Sequence, residues 1–195
     1  MTIVPADGDI LERILDGTFQ IWNEGLSRPA YAQWNRAQLR TPWARGHLQR
    51  FASIDGSGRL LATAKQYRFA VRVGGREGWM CGIGAVFTPP EHRGRGHASA
   101  LIEELVSRAR REGALLAALF SAIGPAFYER LGFTGIPVDE FTITVERKVA
   151  EDLYYALLLA MGGSQYETGV GKNGKNGKNV PYPPYGGYGT YGGQY

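Results

Sequence analysis

The residues best suited to chemistry run consecutively: Arg93, Gly94, Arg95, Gly96, His97, Ala98 and Ser99. Gly94 and Gly96 carry no Cβ, so successive backbone N–H groups can turn towards a single ligand. Arg93 and Arg95 place formal positive charge at the same point. The residues that follow read as a helix, which adds unpaired N–H groups and the positive end of its dipole. A pyrophosphate would use every part of this arrangement. The remaining metal or nucleophile candidates are scattered. A single Cys, Cys81, with His47, His92 and His97 makes neither a disulfide framework nor a metal-ligand set, so no metal is expected.

Such a loop works only if a strand delivers the chain to it and a helix leaves it. Residues 79–87, Trp-Met-Cys-Gly-Ile-Gly-Ala-Val-Phe, are apolar at nearly every position and read as a central strand buried on both faces. Gly82 and Gly84 within it suggest a bulge or the close approach of a ligand. Thr88-Pro89-Pro90 ends that strand. Residues 98–111 then place Leu101, Ile102, Leu105, Val106 and Ala109 on one helical stripe, with Gly113 as the stop. Upstream, 7–22 and 30–39 read as helices. Residues 47–54 and 60–73 read as strands joined by the turn Asp55-Gly56-Ser57-Gly58, and 74–78 as a second turn. Downstream come a strand at 114–120, a short helix at 125–131, a strand at 141–147 and a further helix at 148–161. Trp22, Tyr31, Trp34 and Trp43 are concentrated in the early helices, where they either pack a core or line a substrate pocket.

Two other motif outlines fail on their residues. Ser99 stands where a dinucleotide fingerprint needs its third Gly, and a strand meander precedes it. Gly169 to Asn176 has the outline of a P-loop, but Asn176 replaces Ser/Thr and no strand precedes it.

With 195 residues, one domain of ordinary size is expected. The formal net charge is +4, of which Lys172, Lys175 and Lys178 against Glu167 contribute +2 within 162–195. The body is therefore barely basic, and no nucleic-acid partner is expected. The first ten residues lack a basic segment followed by an apolar run, and no apolar stretch reaches the ~20 residues of a membrane span. No membrane association and a cytoplasmic location are expected. Residues 162–195 hold three Gly-Lys-Asn units and Tyr182, Tyr185, Tyr188 and Tyr191 among Gly and Pro, a composition that cannot form a core and is expected to be disordered. The second half of 148–161 is apolar almost all round, which would suit packing against the body or against another copy in a homodimer.

Two segments together resemble the GNAT superfamily of acetyl-CoA-dependent N-acetyltransferases. One is Arg93-Gly94-Arg95-Gly96-His97-Ala98 after a strand and opening a helix; the other is Phe127-Tyr128-Glu129-Arg130-Leu131-Gly132-Phe133. The resemblance covers residues 1–147, leaving 148–161 as a C-terminal helix and 162–195 as a tail. It implies an α/β fold: a mixed, largely antiparallel twisted sheet of about six to seven strands with helices on both faces. It implies acetyl-CoA as donor and a small-molecule or peptide amine as acceptor, which attacks directly in a ternary complex. Backbone amides from Arg95 to Ala98, with Ser99, would hold the CoA pyrophosphate. Val86, Phe87 and Thr88 would pair with the pantetheine arm, and an N–H near Val86 or Phe87 would face the developing oxyanion. Tyr128 matches the tyrosine that protonates the departing thiolate, a transfer suited to a phenol of pKa ~10.

The chain departs from the family pattern in two places. Ser121 stands where many members carry an Asn against the cofactor arm, so a shorter or water-mediated contact is expected there. No carboxylate lies in 79–87, leaving Glu77, Asp139, Glu140 or a water relay as the base. The acceptor would lie between the first two helices, the strand end near Phe87 and the loop around 136–140. A non-catalytic acyl-CoA-binding or regulatory module is the alternative reading.

Overall fold

Alternation of inward and outward side chains along residues 48–73 sets the architecture. In β2 (Leu48–Ile54), Phe51 and Ala52 are neighbours in sequence and both buried, which places helices on both faces of the sheet. The computed structural model describes residues 1–121 and 123–136. Its sheet has five strands in the order β1 (Thr2–Pro5), β2, β3 (Leu60–Val73), β4 (Arg76–Phe87) and β5 (Leu116–Leu119). β1 to β4 pair antiparallel, and β5 joins β4 in parallel. The expected strand at 141–147, helix at 148–161 and tail at 162–195 lie outside the described residues, as do Asp139 and Glu140.

One face carries α1 (Gly8–Trp22) and α2 (Arg28–Arg40). Ile14 of α1 packs with Ala6, Ala52 and Leu60, while Leu11 and Leu15 pack with Tyr31 and Ala32 of α2. Ser27 caps α2 by accepting from the Ala30 N–H, with Pro29 inside the first turn, where its missing donor costs nothing. The other face carries α4 (His97–Arg111). Its Leu101, Ile102, Leu105 and Ala109 meet Phe51, Ala62, Ala64, Cys81 and Ile83. Each of the three larger side chains contributes about 1.5–3 kcal/mol by burial. Gly113, at φ +85°, ends α4 in a Schellman turn. Its N–H bonds to Arg110 O at 3.0 Å, and the Ala114 N–H bonds to Ala109 O at 2.9 Å.

Some boundaries differ from the sequence reading. β1 was not expected; it docks on β2 with Thr2 opposite Ile54 and Pro5 opposite Phe51. The five-residue turn expected at 74–78 is a two-residue hairpin. Gly74 and Gly75 both take positive φ, and Val73 pairs with Arg76 across them. A four-residue helix, α3 (Ala44–His47), precedes β2. Residues 79–87 are only partly as closed as expected. Cys81, Gly82, Ile83 and Phe87 are buried, while the positions around them are half-buried.

Candidate active site

β3 and β4 run in register from Val73 opposite Arg76 to Lys65 opposite Gly84, and then slip. The next pair is Thr63 opposite Phe87, so Ala64 faces both Ala85 and Val86. This is a β-bulge, and Ala85 adopts φ +48°, a left-handed conformation costing about 1–2 kcal/mol for a non-glycine residue. The bulge lies one position beyond the glycines that suggested it. Gly84 and Gly82 serve a different purpose. A Cβ on Gly84 would lie 3.1 Å from the Tyr67 ring, and one on Gly82 would lie 2.8 Å from the Phe69 ring.

At the same level, β4 parts from β5. Their parallel pairing ends at Ile83 opposite Leu119, and β5 stops there while β4 continues to Phe87. Among the described residues, the β5-side edge of residues 84–87 is therefore unpaired. The Phe87 ring is buried against Gly17 and stands edge-on to Trp22 at 6.3 Å, while Val86 packs in the cluster on the α4 side. With both side chains anchored, the backbone between them is fixed in position.

The chain then turns through Pro90–His92, a single 3-10 turn. Arg93 Nε donates to Thr88 O at 3.3 Å, tying the loop to the end of β4. Gly94 and Gly96 both take left-handed φ, +72° and +77°, and Gly96 is the N-cap of α4. The Ala100 N–H bonds to Gly96 O at 3.0 Å, and among the described residues no side chain caps the helix. The N–H groups of His97, Ala98 and Ser99 accordingly have no acceptor among the described residues. Residues 93–96 are exposed, and the His97 ring stands edge-on to His92 at 6.1 Å.

Tyr128 sits in the short helix α5 (Ala126–Glu129). Its ring is buried with the α4-side cluster, edge-on to Phe127 at 4.9 Å and to Phe133 at 6.0 Å. No hydrogen bond holds its hydroxyl among the described residues. Ser121, beyond the end of β5, is exposed and turns back on its own chain: its hydroxyl accepts from the Ile123 N–H at 3.2 Å. Glu77, a candidate base, is excluded by its place. It lies in the hairpin end of β4 and pairs with Arg72. Eight residues separate it from Ala85, ~26 Å along a strand.

The early aromatic residues divide. Tyr31 is core, its hydroxyl 2.9 Å from Thr18 Oγ1. Trp43 is 41% exposed, stacks on His47 at 5.2 Å and lies 5.8 Å from Phe69. A cavity of about 330 Å³ beside the end of β4 is lined by Gly17, Phe87, Pro89 and His92 among others.

Sequence reasoning passed over two polar residues on the α1/α2 face. Arg50 is 3% exposed and Lys65 7% exposed, and they are direct cross-strand partners. Lys65 Nζ donates to Gln38 Oε1 of α2 at 2.8 Å. Burial, with the Arg50 charge adding to it, pushes the Lys65 ammonium down to about 8. Burial also lowers Arg50 and raises the Tyr67 phenol beside it. The available signal was a cation at a strand position whose neighbours at two-residue spacing face inward.

A bulged strand parting from a parallel neighbour and followed by a glycine loop on a helix N-terminus makes an anion-binding α/β domain. Residues 11–136 match the sequence family described as the acetyltransferase (GNAT) domain. The chain belongs to the GNAT acetyltransferase family. Solved structures agree on the fold. An apo aminoglycoside 6'-N-acetyltransferase from Acinetobacter haemolyticus is 20% identical, with TM-score 0.57, covering 75% of this chain and 100% of that one. A protein from Clostridium acetobutylicum described as a predicted acetyltransferase and solved with acetyl-CoA is 19% identical, with TM-score 0.53, covering 74% and 95%. Glucosamine-6-phosphate N-acetyltransferase from Arabidopsis thaliana is 14% identical, with TM-score 0.57, covering 73% and 97%. No curated protein matches the chain by sequence. Among the described residues, no helix is long and apolar enough to cross a membrane.

Proposed function

We propose that the chain transfers an acetyl group from acetyl-CoA to the nitrogen of an amine. The observation that carries this reading is the pair of left-handed glycines at the open N-terminus of α4, directly after a bulged and parted strand end. The residues present fit the donor. A Cβ on Gly94 or Gly96 would meet nothing within 4 Å, so the loop offers open space above its N–H groups. The N–H groups of residues 95–99 hold the pyrophosphate, aided by the charges of Arg93 and Arg95. The β5-side edge at Val86 and Phe87, unpaired among the described residues, holds the pantetheine arm by backbone pairing together with Thr88 just beyond it. Bound acetyl-CoA supplies the activated acyl group. The chain's own contribution is placement, with a bulge N–H set where negative charge develops on the acyl oxygen, and proximity supplies much of the acceleration.

Tyr128 donates a proton to the leaving sulfur, and the proton lost by the amine returns to its phenolate through water. Its hydroxyl has no hydrogen-bond partner among the described residues while its ring is clamped by Phe127 and Phe133, so orientation is fixed and the proton remains available. Ser121 stands at the mouth of the gap between β4 and β5 and contacts the arm through water.

The test is thiol release from acetyl-CoA with a panel of amines, alongside calorimetric binding of CoA. Amine-dependent thiol release is expected. Binding without release for every amine would replace this reading with a non-catalytic acyl-CoA-binding module. Absence of both would remove it.

A further inference from the structure

Arg50 and Lys65 stand opposite each other on adjacent strands, where Cβ atoms are ~5 Å apart, and both are more than nine-tenths buried. Like charges directly opposite are destabilising, and burial makes each worse. Neither residue enters an ion pair among the described residues. Gln38 supplies one neutral acceptor to Lys65, and Arg50 Nη1 is buried with no hydrogen-bond partner among the described residues. The neighbouring phenol of Tyr31 is already engaged with Thr18. Two adjacent buried cations with unused donors form half of an ion-binding site.

Their location gives the site a purpose. Lys65 is the cross-strand partner of Gly84, immediately before the bulge. It shares the α1/α2 face with the Phe87 ring and with Tyr67. A cavity of about 500 Å³ lined by Leu39, His47, Arg50 and Tyr67 among others reaches the pair at Arg50, where two cations would repel an ammonium and attract an oxyanion. We infer that Arg50, Lys65 and Gln38 form a subsite for a compact oxyanion on the acceptor, so that the acceptor is a small amine carrying a carboxylate or a phosphate group. Arg50 offers a planar fork to two oxygens, and Lys65 supplies a point charge. This inference rests on the acetyl-transfer reading for its substrate, and its anion site can be tested without that reading.

The experiment has two arms, each run on the wild type, Lys65→Met and Arg50→Met. The first measures thiol release with matched acceptors: tyrosine against tyramine, and glucosamine 6-phosphate against glucosamine. The second measures the thermal midpoint with added acetate or inorganic phosphate against chloride at equal ionic strength. The expected result is a preference of about tenfold to a hundredfold for one of the anionic acceptors, lost in both variants. The preferred pair identifies the anion as carboxylate or phosphate. Stabilisation by acetate or phosphate that disappears in Lys65→Met is also expected. If that stabilisation appears while no amine releases thiol, the anion subsite stands and the acetyl-transfer reading falls. Equal or better turnover of tyramine and glucosamine overturns the inference. So does an anion effect absent from the wild type, or one unchanged in both variants. A third overturning result is a midpoint lowered in Asp139→Asn or Glu140→Gln together with no anion effect, because the counter-charge then belongs to the chain.

Discussion

Replacing Lys65 with Met should stabilise the protein, and the gain should depend on pH in a set direction. Lys65 is 7% exposed and its ammonium titrates near 8 against an ordinary 10.5. At 1.36 kcal/mol per pKa unit, the buried charge costs about 3 kcal/mol at pH 7. Met fills a similar volume without charge, but it strands the Gln38 carbonyl oxygen, which returns about 1 kcal/mol. The net gain is about 2 kcal/mol, or about 4–8 °C in midpoint for a chain of this size. The sign follows from proton counts. Below pH 8 both folded and unfolded chains hold the Lys65 proton, so the full penalty is present. Between 8 and 10.5 the unfolded chain binds more protons than the folded one, so wild-type stability rises with pH. The advantage of the variant is therefore largest at pH 7 and shrinks above 8. Urea unfolding of both proteins at pH 7 and pH 9.5 measures it, and the difference cancels groups titrating in both. A variant less stable than wild type at pH 7 would refute the reasoning, as would a gain that does not change with pH.

Three further outcomes are expected. Tyr128→Phe should lower kcat by about a hundredfold or more with little change in acetyl-CoA affinity, read by steady-state kinetics and calorimetry; unchanged turnover would remove Tyr128 from the chemistry. Gly96→Glu should abolish CoA binding, because a carboxylate would enter the amide cradle at a position with φ +77°; calorimetry on protein whose near-ultraviolet dichroism is unaltered checks it. Thr18→Val should cost about 1–3 kcal/mol in urea unfolding, since it leaves the Tyr31 hydroxyl buried without its partner at 2.9 Å.

The glycine loop and the helix that follows it were legible because their determinants are local. Glycine at 94 and 96 and a helical stripe through Leu101, Leu105 and Ala109 require no knowledge of the rest of the fold. The bulge was legible only in outline. Its residues, Ala85 and Val86, carry no bulge signature such as glycine, and the two oppose the single Ala64 on β3. β1 was not legible, since four residues carry no measurable periodicity and their strand character comes from docking on β2. Glu77 looked near the site because sequence distance hides the ~26 Å that an extended strand covers. Arg50 and Lys65 drew no reading from the sequence, because lysine and arginine usually face water. Their burial follows from α1 and α2 covering that face, a tertiary fact.

The central claim is that CoA is held by backbone amides at the start of α4 and along the parted end of β4. Amide hydrogen exchange of the full chain, with and without acetyl-CoA, reads those groups directly. The account predicts slowed exchange at residues 94–99 and 84–88, with little change at the β2–β3 turn. Protection elsewhere, with residues 94–99 unaffected at a saturating concentration of acetyl-CoA, would contradict it.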